Sequence, residues 1–207
     1  MRFLPSLLLL SAIVGCSTGE GEGQVSSERL YVNGCWNGPF SLEPTFFGAN
    51  PGFRNQLAVR IQRGDNNAEV SDGLSVVLTD LDGIRGSQLG KPVPVGLPRG
   101  VSPSGIPIKL QAHPPTVSLA LLLHDTCHTQ NGALYAIDGQ ITFDKLFSGD
   151  PNESNGDERL TDASFSARFA DPRSVKFDGT YDDEQVSEVK GWFHFYFQRG
   201  QPAQPFP

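Results

Sequence analysis

The chain is poor in the side chains from which metal sites and nucleophilic centres are built: its 207 residues include three cysteines and four histidines, His113, His124, His128 and His194. No Cys-x-x-Cys pair occurs, which removes haem attachment. The densest cluster is His124-Asp-Thr-Cys-His128. Two histidines four apart come within reach of one metal ion on a helix, and these follow an apolar strand, where that spacing spans about 13 Å, so zinc is not expected there. Gly86-Ser-Gln-Leu-Gly90-Lys91-Pro92 has neither the spacing nor the trailing hydroxyl of a phosphate loop, and Gly100-Val-Ser102-Pro-Ser104 lacks the second glycine of a nucleophile elbow; both read as turns. Basic residues are outnumbered, 16 against 23 acids, for a formal charge of -7. An acidic chain without a basic patch argues against nucleic acid and against direct adsorption to anionic lipid. Long apolar runs are missing as well. The stretch from Leu4 to Val14, interrupted by Pro5 and Ser6, falls far short of the roughly 20 residues that cross a bilayer as a helix.

What the chain has in quantity is turn residues, with 23 glycines and 16 prolines recurring at short intervals, and between them apolar residues alternating with polar ones. Leu57, Val59 and Ile61 form one such strand, and Leu74, Val76 and Leu78 the next. Val117, Leu119, Leu121 and Leu123, with Ala120 and Leu122 between them, read as the middle of a sheet. Leu134 to Ile137 and Gln140 to Phe143 flank Asp138-Gly139 either as a hairpin or as one strand bulged at the glycine. Ala163, Phe165, Ala167 and Phe169 make a half-buried strand. With Arg29 to Val32 and Gly38 to Leu42, about eight to ten short strands are expected, arranged as a single antiparallel β-sandwich or jelly roll. Helix is expected to be sparse, with Asp182 to Val189 the one candidate. The proline-rich text between Leu89 and Pro115 reads as an edge segment or ordered loop.

The most informative strand is Val186 to Arg199, where Phe193, Phe195 and Phe197 alternate with Trp192, His194 and Tyr196. Period two puts the three phenylalanines on a core face. The other face is amphipathic and can hold a loop, the proline-rich tail after Arg199, or a ligand, which makes Trp192, His194 and Tyr196 a candidate ligand shelf.

At the N-terminus, one positive charge, a short apolar region and Ile13-Val14-Gly15-Cys16 follow in that order. This segment reads as a secretory signal, and its end resembles the lipobox of bacterial lipoproteins, of the kind numerous in large-genome gliding Gram-negative bacteria. The resemblance implies cleavage before Cys16, acylation of that cysteine and export to a membrane, with Ser17 favouring the outer membrane. Loss of Arg2 with residues 1–15 would bring the formal charge from -7 to -8. Residues 16–28, rich in Gly, Ser and Glu and without apolar periodicity, are expected to form a flexible tether, and residues 29–207 one domain.

Cys35 and Cys127 remain, a pair in an exported protein and therefore an expected disulfide. Between Ser148 and Glu158 the sequence is rich in side-chain oxygen, and Asp150, Asn152, Asp157 and Glu158 are candidate calcium ligands, although position six from Asp150 is Asn155 and not the glycine of an EF-hand. No other cofactor is expected. The expected function is that of a membrane-anchored, non-catalytic module for a glycan or an envelope protein, the alternative being a surface hydrolase acting on glycan or peptide. A transmembrane barrel is disfavoured, since eight residues with three prolines follow Arg199 where such a barrel would end.

Overall fold

The computed structural model describes residues 18–51, 55–64, 71–97, 115–128, 132–176 and 180–198. The signal segment, Cys16, His113, the serines at 102 and 104, most of the proline-rich stretch and the C-terminal tail lie outside them.

Ten strands form among the described residues: β1 Thr18–Val32, β2 Trp36–Leu42, β3 Phe46–Pro51, β4 Leu57–Gln62, β5 Gly73–Leu78, β6 Pro92–Pro94, β7 Val117–Leu123, β8 Gly132–Lys145, β9 Leu160–Ala170 and β10 Val186–Phe197. All-β is therefore correct, but the sandwich is not. Strands β1, β3, β4, β5, β7, β8, β9 and β10 pair in that order, every pair antiparallel, and β10 then pairs with β1 from Gly19↔Phe197 to Ser26↔Lys190, closing an up-and-down barrel. Alternation tells which side chains share a face and nothing about whether two sheets stack or one sheet closes, so the pattern was equally compatible with both.

The second correction concerns the tether. From Thr18 onward it is strand β1, because the glycines it contains are what the barrel needs at that place. Gly19, Gly21 and Gly23 stand directly opposite Phe197, Phe195 and Phe193. A Cβ on Gly21 would lie 2.1 Å from the His194 carbonyl oxygen and 2.4 Å from Phe195 Cβ. With no side chain on β1 to compete, the three phenyl rings turn inward and are 0 to 3% exposed. Phe195 stacks on Phe47 at 5.4 Å, and Phe197 on Phe147 at 4.0 Å. Burial of each ring contributes about 1.5 to 3 kcal/mol.

The rest of the interior follows the predicted parity. Leu57, Val59 and Ile61 of β4 face Leu78, Val76 and Leu74 of β5, which face Val117, Leu119 and Leu121 of β7, all fully buried. Of the two readings of Asp138-Gly139, the bulged strand is the one that forms: β8 is continuous, its register with β9 shifts between Ala136 and Asp138, and Gly139 adopts φ +129°. An Ala there would put its Cβ 2.4 Å from Ala167 Cα. In the described part of the proline-rich stretch, short β6 adds to β8 beside the start of β7; the rest of that stretch lies outside the described residues.

Helix appears where it was not sought. Asp182 to Val189 gives a single 3-10 turn, Asp183–Gln185, and then strand. The α-helix α1 is Leu81–Ser87, so Gly86 and Ser87, read as part of a turn, close a helix. Asp80 caps it by accepting from the Gly83 amide, and Leu81 and Ile84 are buried in the core. Seven residues with two glycines carry too little helical period to be legible.

The opposite end of the barrel is shut by the disulfide. Cys35, in the turn after β1, is bonded to Cys127, in the turn after β7, with Cα atoms 5.8 Å apart. β1 and β7 are diametrically placed in the closed order, so the link crosses the mouth. Two buried carboxylates fix the same turns. Asp72 accepts from the amides of Asp125 and Thr126 and from the Thr126 hydroxyl, while Asp171 accepts from the Asn33 amide and from Arg173. That contact with Asp171 raises the pKa of the Arg173 guanidinium, and burial, with Asp171 nearby, raises that of the Tyr181 phenol. Apolar side chains point in and charged ones point out from β9, β10 and β1, the inverse of a lipid-facing barrel.

Candidate functional site

Trp192, His194 and Tyr196 come together on the outer face of β10, as their parity requires. Trp192 is 41% and Tyr196 44% exposed, among the few large apolar side chains that reach solvent. The two rings are four residues apart on one strand, about 13 Å by strand rise. His194 lies between them, its ring edge-on to Tyr196 at 5.8 Å.

The neighbouring strands determine what surrounds the rings. On the β9 side Leu160, Asp162 and Ser164 are in register with Tyr196, His194 and Trp192. On the β1 side the partners are Glu20, Glu22 and Gln24. Directly opposed side chains on paired strands have Cβ atoms about 5 Å apart, so each ring is flanked at contact range. His194 Nδ1 lies 3.0 Å from Asp162 Oδ2, both side chains being more than a third exposed. One strand further, Lys145 and Thr142 of β8 are opposite Asp162 and Ser164. Below the rings, Arg168 is paired with Asp138 through its Nε and Nη2, a contact that raises the pKa of the guanidinium.

Sequence reasoning found the three aromatic-face residues and missed Glu20, Glu22, Gln24, Asp162 and Ser164. The signal was present in Gly19-Glu-Gly-Glu-Gly23, a strict alternation of nothing with charge. An inward-facing glycine has no hydropathy, so the alternation looked like low complexity.

The proposed calcium ligands are placed differently from one another. Asp150 Oδ1 accepts from the Asn152 amide, closing a local turn. Asp157 and Glu158 belong to a 3-10 turn and line a cleft of about 340 Å³ with Asp82, Arg85, Leu89, Lys145 and Leu146. There Arg85 donates to Glu158, so a cation already holds that carboxylate. Among the described residues, no group of three or more His, Cys, Asp or Glu side chains is placed to hold a metal ion. In the 124–128 turn, Cys127 is in the disulfide and His128 Nδ1 lies 3.3 Å from the Asp125 carbonyl.

No family model matches the chain, and neither a curated protein nor a solved structure matches it.

Proposed function

We propose that this protein is a lipid-anchored, non-catalytic binding module of the bacterial envelope that takes a glycan on the outer face of β10. The observation that carries the reading is the pair Trp192 and Tyr196, held exposed on one strand and bordered by hydroxyl, amide and carboxylate side chains. Aromatic faces stack on the apolar side of a pyranose, and the bordering groups suit its hydroxyls. β10 is hydrogen-bonded on both sides, so its backbone is closed to an added peptide strand and recognition must go through side chains. A hydrolase would need acid and base around a concave site. The His194–Asp162 pair sits instead on the convex outside of a barrel. The anchor in this reading is Cys16. One residue, Ser17, lies between it and Thr18, a span of at most about 7 Å, so the barrel would ride close to the membrane instead of hanging from a tether.

The test is binding of the full mature chain, in detergent and with the disulfide intact, to a panel of soluble oligosaccharides. Trp192→Ala and Tyr196→Ala should each abolish or strongly weaken whatever binding is found while leaving the unfolding temperature close to that of the parent. Binding that survives both substitutions, or a panel without a single ligand, overturns the proposal.

A further inference from the structure

The strand pairing gives the aromatic face a sign. Reading across from β10 to β1, Tyr196 is beside Glu20, His194 beside Glu22 and Trp192 beside Gln24, a ladder in which rings alternate along one rail and carboxylates occupy two of the three positions on the other. On the β9 rail Asp162 adds a third carboxylate, but it is already engaged by His194 and is in register with Lys145. Glu20 accepts from the neutral amide of Gln198, at 3.2 Å, and among the described residues neither Glu20 nor Glu22 has an ion-pair partner. The described cations nearby are directed elsewhere or stand off. Arg159 donates to the Phe197 carbonyl, and Lys190 is one step beyond Trp192, opposite Ser26. Among the described residues, the uncompensated charge bordering the rings is therefore the pair on β1.

We infer that the ligand is a glycan carrying free amines, a polymer of amino sugars without N-acyl groups. The inference rests on the glycan reading above and narrows it. An aromatic face attracts a cation through its quadrupole, and a carboxylate about 5 Å away attracts the same cation by charge, so an ammonium on a sugar seated over Tyr196, beside Glu20, is favoured twice. A uronate or sialate placed there meets Glu20 and Glu22 with like charge and is rejected. Neutral sugars keep the stacking and lose the charge contribution. Ser164 of β9, Thr142 of β8 and Gln24 and Ser26 of β1, on three strands around the rings, offer hydrogen bonds to a ligand rich in hydroxyls, which favours a polysaccharide over a basic peptide of equal charge.

Glucosamine oligomers, the same oligomers N-acetylated, oligogalacturonate and oligolysine are the four probes, titrated into the full mature chain at a pH where the sugar amines are charged. With two exposed carboxylates acting on each bound unit, the amine form should bind about tenfold tighter than the acetylated form at low salt, and oligogalacturonate should not bind. Glu20→Gln with Glu22→Gln should bring amine and acetylated forms to within about twofold, by weakening only the former, and added salt should do the same to the parent. These two residues point away from the core, so the double variant is expected to fold, and its unfolding temperature is recorded as the check. Equal affinity for both forms in the parent overturns the inference and leaves a neutral-glycan module. Binding of oligolysine alone overturns it in favour of a basic peptide, and binding of no sugar overturns the glycan reading itself.

Discussion

Placing a methyl group on Gly21 tests the closure of the barrel at its tightest point. The added Cβ would lie 2.1 Å from the carbonyl oxygen of His194, 2.4 Å from Phe195 Cβ and 2.6 Å from Phe195 Cα. All three atoms belong to backbone or to the root of a side chain, so no rotamer change makes room and β1 must move off β10. Overpacking of this kind costs about 1 to 3 kcal/mol, against which the lower chain entropy of Ala in the unfolded state returns less than about 1. Contacts this short to backbone and root atoms put the cost at the upper end, a net loss of about 2 kcal/mol; for a chain of this size each kcal/mol shifts the midpoint by about 2 to 4 °C, so Gly21→Ala should melt roughly 4 to 8 °C below the parent in a thermal scan, and Gly21→Val lower still. Glu22→Ala, one residue on and pointing outward, is the control and should change stability by less than about 0.5 kcal/mol. If residues 18–28 were a tether, both substitutions would be silent. Equal melting of Gly21→Ala and Glu22→Ala refutes the β1–β10 seam.

Phe195→Ala should cost about 3 to 5 kcal/mol and leave the domain close to unfolding, whereas Tyr196→Ala, on the exposed face, should be much milder; thermal melts with equal losses would mean that both faces of β10 are core. Intact-mass measurement of the denatured, alkylated Cys16→Ser chain should add no alkyl group without reductant and two with it. Reduction should destabilise by roughly 4 to 5 kcal/mol, since the link closes a loop with a sequence separation of 92 residues. The same Cys16→Ser substitution should move the protein out of the membrane fraction, and retention through a high-salt wash would refute the lipid anchor.

The legible parts of the fold were those in which an apolar side chain marks the inward face. The alternating leucines and valines of β4, β5 and β7 gave their parity, and two cysteines in a chain expected to be exported gave the disulfide. Closure was not legible because it is a property of the first and last strands together. The partner of β10 is β1, and every inward position at which β1 meets the three phenylalanines is glycine. Likewise α1 was hidden by its length. One helical turn carrying Leu81 and Ile84 produces the same apolar spacing as many loops, and only the Asp80 cap distinguishes it.

The candidate site divides along the same line. Trp192, His194 and Tyr196 could be assigned to one outward face from β10 alone, since the phenylalanines between them are unmistakably inward. Glu20 and Glu22 could not, because a face is read from its contrast with the other, and glycine supplies none. The clue lay in complementarity across the chain: three glycines at period two near one end, three phenylalanines at period two near the other. A large ring can turn inward only where its cross-strand neighbour leaves space, so matched spacings of smallest and largest residues argue for pairing more strongly than either pattern does alone. Once that pairing is made, the glutamates between the glycines must stand beside the rings between the phenylalanines. Closure of the barrel and the negative border of the aromatic face are thus two consequences of one register, and a shift of that register by a single residue would turn either the glutamates into the core or the phenylalanines out of it.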